Sequence, residues 1–134
     1  MMIRNGDYGE IDGIEYKIFE NEDNTIDIVT KDPGAIKQGF KKYKGEDVYY
    51  KTINPVKLEK FHRIYTRGKI GHEIVNISRE KENEVLIGTS DAKVARNLGI
   101  GRTEKYYYEK WVNKNDVQFY EERKDLTIWG VYLM

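Results

Sequence analysis

"KYYYEKWVNKNDVQFY", Lys105–Tyr120, is the densest aromatic run in the chain, and a related stretch precedes it: "EDVYYKTINPVKLEKF", Glu46–Phe61. The two are 59 residues apart, and the same offset extends outward in both directions. Ile11 and Ile18 align with Ile70 and Ile77, and Ile26, Ile28, Thr30 and Asp32 with Val85, Ile87, Thr89 and Asp91. Lys51, Ile53 and Asn54 align with Lys110, Val112 and Asn113, and Leu58 and Phe61 with Val117 and Tyr120. One inserted residue also brings Gly39-Phe40 onto Gly99-Ile100. Apolar matches alone arise by chance, but Thr, Asp, Lys-x-apolar-Asn and Gly in the same order do not arise so easily. The chain therefore reads as an internal duplication.

The aromatic run is then the second copy of an alternating strand. Tyr106, Tyr108, Lys110 and Val112 face one way and Tyr107, Glu109 and Trp111 the other. Neither face is purely apolar, so a half-buried strand is expected, with a role in packing before any role in binding. Each copy reads alike. A strand, "IDGIEYKIF" (11–19) or "IGHEIVNI", is followed by a polar turn and a returning strand, "TIDIVTK" or "VLIGTS". A short helix comes next. Asp32 and Asp91 are its expected N-caps, Pro33 stands at the first helical position of the first copy, and Gly39 and Gly99 end it. A third strand, an Asn-led single turn and a last strand, "EKFHRIYT" or "QFYEER", complete the copy.

The segments "KTINPVKL" and "KWVNKNDV" resemble the end of an SH3-like barrel, where a strand passes through one 3₁₀ turn into a short strand. That resemblance implies an α+β, β-rich chain: an internal duplication of two SH3-like small β-barrel modules, each with one short helix. The expected boundaries are 4–62 and 63–122, followed by an apolar tail at 123–134. Modules this small bury little alone and are expected to pack together as one globular unit.

Composition narrows the function. The 134 residues carry 23 Lys plus Arg and 23 Asp plus Glu, and a balanced chain lacks the basic footprint of a nucleic-acid coat. With no cysteine, disulfides, thiolate nucleophiles and the common structural zinc sites are excluded. The N-terminus has no apolar core of a signal peptide, and the C-terminal "IWGVYLM" is too short to span a bilayer. A cytoplasmic protein without membrane association or cofactor is expected.

Catalytic patterns are equally sparse. His62 and His72 sit on different expected strands, without metal-ligand spacing, and read as ordinary, partly exposed histidines. "GIGR", Gly99–Arg102, echoes a phosphate loop but follows a helix, where carbonyls rather than amides point outward. No serine lies in a nucleophile elbow. The expectation is no enzyme, no catalytic residue and no metal.

"RNGDYGEIDGIEYKIFENEDNTIDIVTKD" (4–32) and "EKWVNKNDVQFYEERKDL" (109–126) resemble the cytoplasmic immunity proteins encoded beside secreted polymorphic or contact-dependent toxins of Gram-positive bacteria. The resemblance spans residues 4–126. It implies one protein partner, a toxin domain, neutralised by blocking or distorting its site, and it transfers no contact residues. The candidate contacts come from the residues themselves: the acidic hairpin tips Glu20, Glu22, Asp23 and Glu80, Glu82, Glu84, and the aromatics Tyr107 and Trp111. One alternative is a nucleic-acid-binding or regulatory adaptor using Lys41, Lys42, Tyr43 and Lys44. A second is a phage or structural protein that self-assembles through residues 126–134.

Overall fold

A computed structural model of the protein describes residues 3–126. The rest of the apolar tail, and with it most of the segment expected to mediate self-association, lies outside the described residues. The chain is β-rich and antiparallel with little helix. Among the described residues it has eleven strands, one α-helix and three 3₁₀ turns. It divides into two compact units. The leading unit is Gly6–Arg63 with residues 124–126, and the trailing unit is Ile64–Arg123 with residues 3–5.

In the leading unit the strands are β1 (Gly6–Ile11), β2 (Ile14–Glu20), β3 (Ile26–Thr30), β4 (Lys41–Lys42) and β5 (Tyr49–Ile53). They hydrogen-bond in the order β4-β5-β3-β2-β1, with β6 (Lys60–Ile70) beside β1. The trailing unit has β7 (Glu73–Glu80), β8 (Glu84–Thr89), α1 (Ala92–Leu98), β9 (Arg102–Glu104), β10 (Tyr107–Asn113) and β11 (Gln118–Asp125). Its order is β6-β7-β8-β10-β9, and β11 also pairs with β6. The strand expected as the end of the first copy thus runs on for eleven residues. Lys60–Arg63 serve the leading unit and Ile64–Ile70 the trailing one.

The expectation of a single strand over 11–19 is corrected. Asp12 and Gly13 adopt φ 52° and 79°, and Ile11 pairs with Ile14 across them. Two residues at positive φ make a type I′ turn, whose twist matches the flanking strands and which Asp-Gly strongly favours. The trailing unit's hairpin turns at the aligned place. Ile70 pairs with Glu73 across Gly71-His72, and of these two only Gly71 has positive φ, the pattern of a type II′ turn. The short strands β4 and β9 were not anticipated from the sequence.

Downstream of the turns, pairing recurs at the 59-residue offset. Ile18 opposes Ile28 as Ile77 opposes Ile87. Ile26 opposes Ile53 as Val85 opposes Val112, and Thr30 opposes Tyr49 as Thr89 opposes Tyr108. The helical segments differ in kind. Asp91 accepts hydrogen bonds from the amides of Lys93 and Val94, and α1 ends at Gly99 in the left-handed conformation. The corresponding segment, Pro33–Gln38, is capped by Asp32 and Gly39 in the same way but is a 3₁₀ helix. Pro33 has no amide hydrogen and Gly34 has the largest backbone entropy to lose, so the tighter, shorter form prevails. Asn54 and Asn113 each cap a further 3₁₀ turn, Pro55–Lys57 and Lys114–Asp116.

The inward faces of the strands form a core in each unit. Tyr16, Ile18, Ile26, Ile28, Phe40 and Ile53 fill the leading one. Val75, Ile77, Val85, Ile87, Ile100 and Val117 fill the trailing one. Ile77, Ile87, Val75 and Val85 are 2% exposed or less, and each contributes about 1.5–3 kcal/mol relative to exposure. Residues 3–5 are tied into the trailing unit. The Thr66 hydroxyl accepts from the Arg4 amide and donates to the Arg4 carbonyl, and Asn5 donates to the Ile77 carbonyl.

His62 is fully buried, which corrects the expectation of partial exposure; His72, in the turn, is exposed. The alternation of β6 points His62 inward. There Nε2 lies 2.9 Å from the Glu15 carboxylate and the ring stacks on Tyr8. Nδ1 has no hydrogen-bond partner among the described residues. Glu15→Ala leaves both ring nitrogens unsatisfied, and the expected loss is about 1–3 kcal/mol in urea unfolding, with a smaller loss for Glu15→Gln. A second test concerns packing. A Cβ at Gly68 falls 2.9 Å from Ile77 Cδ1 and as close as 2.5 Å to Val117 Cγ1, whereas one at Gly101 meets nothing. Gly68→Ala is expected to destabilise by about 1–3 kcal/mol, and Gly101→Ala by less than about 0.5 kcal/mol.

Candidate functional site

The leading unit holds a pocket of about 480 Å³, within the range of sites that accept ligands or inserted side chains. Its apolar lining is Ile11, Ile14, Ile28 and Ile53 with the ring pair Tyr16–Phe40, whose centroids are 5.6 Å apart. The two-residue turn after β1 supplies Asp12 and brings Ile14 to the pocket, half exposed. The 3₁₀ helix supplies Gln38, β5 supplies Lys51, and the turn after β5 supplies Lys57.

The polar groups of this lining are largely uncommitted. Lys51 Nζ donates to the Gln38 carbonyl at 3.1 Å, which fixes the ammonium at the carbonyl end of the 3₁₀ helix. Neither Lys51 nor Lys57 has a carboxylate partner among the described residues, and the Asp12 side chain has no cationic one. The Tyr16 hydroxyl is pushed above the ordinary tyrosine range by burial, and further by the negative charges of Asp12 and Asp32.

Position by position, the trailing unit differs where the pocket is built. Tyr16 and Phe40 correspond to Val75 and Ile100, Ile14 to Glu73, Gln38 to Asn97, and Lys57 to Asp116. Asn97 Nδ2 donates to Glu73 Oε1 at 3.1 Å, so the two positions that line the leading pocket are bonded to each other in the trailing unit. No motif marks this site in the sequence; its one signal is the set of positions at which the two aligned segments stop matching.

The expected contact residues are more engaged than the sequence indicated. In the first tip, Glu20 and Glu22 are exposed, while Asp23 organises the turn. The Asp23 carboxylate accepts from the Thr25 hydroxyl and amide, and the hydroxyl contact above all holds its pKa below the ordinary carboxylate value. In the second tip, a bulge between Ile77 and Arg79 shifts the register and shortens the loop. Glu82 is exposed, Glu84 pairs with Asn113, and Glu80 accepts from Lys114 Nζ at 2.6 Å. Trp111 is covered by Lys81, with Nζ 4.1 Å from the ring centroid. The Tyr107 ring lies over Gly88, and its hydroxyl accepts from Asn76. Glu80 and Trp111 are thus each engaged by a lysine of the same unit, Lys114 and Lys81.

The basic segment is likewise partly engaged. Lys41 and Lys42 form β4, Lys42 lies 3.5 Å from Asp47, and Lys44 is exposed. Tyr43 stacks on Tyr50 at 4.5 Å, and its hydroxyl is pushed up first by burial and then by Asp27. The Gly99 and Ile100 amides of "GIGR" donate to carbonyls at the end of α1 and so close a helix rather than open an anion site. No cluster of three or more potential metal ligands occurs among the described residues, and none of their helices is long and apolar enough to cross a membrane.

The Lys114 hydrogen bond holds the Glu80 carboxyl below the ordinary glutamate value. Its stabilising contribution is therefore present above the ordinary glutamate range and lost as pH falls through the lowered value. Carboxyl NMR titration is expected to show Glu80 titrating low, and Lys114→Ala to return it to the usual range.

No curated protein and no solved structure matches the chain. A family model does match, over residues 3–128, which is nearly the whole length. The chain belongs to the family described as uncharacterised conserved protein UCP033725.

Proposed function

We propose that this protein is a non-enzymatic protein-binding module: a cytoplasmic immunity protein that neutralises a cognate bacterial toxin domain by binding and blocking it. The observation that carries this reading is the leading pocket, together with exposed apolar side chains of the same unit. Ile14 is 50% exposed, and Ile36 and Val56, from the two 3₁₀ segments that supply Gln38 and Lys57, are 53% and 56% exposed. Covering three such side chains is worth roughly 2–4 kcal/mol. Exposed apolar side chains and a concave apolar site are features that protein interfaces use. The acidic tips, half of them committed to internal contacts, then form a rim rather than the anchor.

We read the two units as diverged copies of one SH3-like module. The recurring registers, the paired Asp and Gly caps and the two Asn-capped turns support that reading. On this view one copy kept an open pocket and the other bridged it.

The test is capture of the tagged protein from its native host, with stoichiometry by mass spectrometry. One partner with a toxin-like C-terminal domain is expected. Capture should survive charge reversal of Glu20, Glu22 and Glu82 and be lost in Ile14→Glu. Recovery of nucleic acid, or of the protein alone, overturns the proposal.

A further inference from the structure

We infer that the leading pocket receives an apolar side chain lying next to a carboxylate on the partner protein, with Lys51 and Lys57 as the groups that hold the anion. This rests on the protein-binding reading and names what the pocket selects.

The argument begins with charge. Two lysines, with Asp12 and Gln38, are the polar lining of a cavity whose other walls are apolar, and neither lysine has a carboxylate partner among the described residues. The Lys114–Glu80 pair, at 2.6 Å, shows the bond that a partner carboxylate would make here. Both side chains are exposed, so a partner carboxylate can reach them from solvent and gains a charge-assisted hydrogen bond. Lys51 is already anchored on the Gln38 carbonyl, which leaves two of its three N–H donors to offer from a fixed position. The one anion of the lining, Asp12, is outnumbered by the two cations. Its charge, with that of Asp32, acts on the Tyr16 hydroxyl.

Shape supplies the second half. The Tyr16–Phe40 pair and four isoleucines form an apolar recess of about 480 Å³. That space accepts a large aliphatic or aromatic side chain and the backbone that carries it. The trailing unit supplies an internal control. There the counterpart of Ile14 is Glu73, bonded to Asn97, and the counterpart of Lys57 is Asp116. Both the opening and half of the cation pair are thus peculiar to the leading unit.

The experiment is an amide-NMR titration of the full chain with three probes of one shape: 3-phenylpropionate, 3-phenylpropanamide and 3-phenylpropylamine. The carboxylate is expected to perturb the amides of Asp12, Gln38 and Lys51, and to bind about tenfold or more tightly than the other two. The Lys51→Gln/Lys57→Gln variant should lose that preference. Ile14→Glu, which installs opposite Gln38 the carboxylate that Glu73 presents to Asn97, should lose binding of all three. Equal binding of the three probes, preference for the amine, or selectivity that survives removal of both lysines overturns the inference. Partner capture separates the two proposals. If capture is lost in Ile14→Glu but unchanged in the double-lysine variant, the protein-binding reading stands and the carboxylate does not. If capture is unchanged in Ile14→Glu, the pocket is not the protein contact, and carboxylate selectivity then marks a small-molecule site instead.

Discussion

Strand register governs this molecule. A strand turns every second side chain inward, so a slip of one residue exchanges core for surface along its whole length. Two-residue turns at Asp12-Gly13 and Gly71-His72 fix that register. The next hairpin in each unit then sets the pairs Ile18–Ile28 and Ile77–Ile87, which put these isoleucines into the two cores. The same geometry carries His62 to a fully buried position, where Glu15 must satisfy it.

Within a fixed register, small changes in side-chain size produce the difference between the units. At one inward position the leading unit carries Tyr16 and the trailing unit Val75. At another they carry Phe40 and Ile100. The larger rings stack and prop the 3₁₀ segment against the hairpin around an open space. In the trailing unit the aliphatic pair accompanies a hydrogen bond between α1 and the hairpin, from Asn97 to Glu73. The helical type changes with it, since Pro33-Gly34 opens one segment and Ala92-Lys93 the other.

Electrostatics separates groups that hold the structure from groups still open to a partner. Asp23, Glu80 and Arg63 are spent on turns and ion pairs within their own units. Lys81 lies over Trp111, and surface contacts of that kind contribute about 0.5–1 kcal/mol. Lys51 and Lys57, at the pocket, are among the charges that carry no ion pair among the described residues.

Much of the element order was legible in the sequence because it rests on local chemistry. Alternating Ile and Val specified strands, Asp32 and Asp91 started helices, Gly39 and Gly99 ended them, and Asn54 and Asn113 opened single turns. Each of these signals acts within about four residues. The Asp12-Gly13 turn was equally local but was read through as strand. What the tertiary structure decided depends on atoms far apart in the chain. Burial of His62 requires Glu15, 47 residues away, and the anchoring of residues 3–5 requires Thr66 and Ile77. The pocket requires a turn, a 3₁₀ helix and a strand to leave a space unfilled. An unfilled space has no residue of its own, so the sequence could mark it only by the positions where the two aligned segments differ.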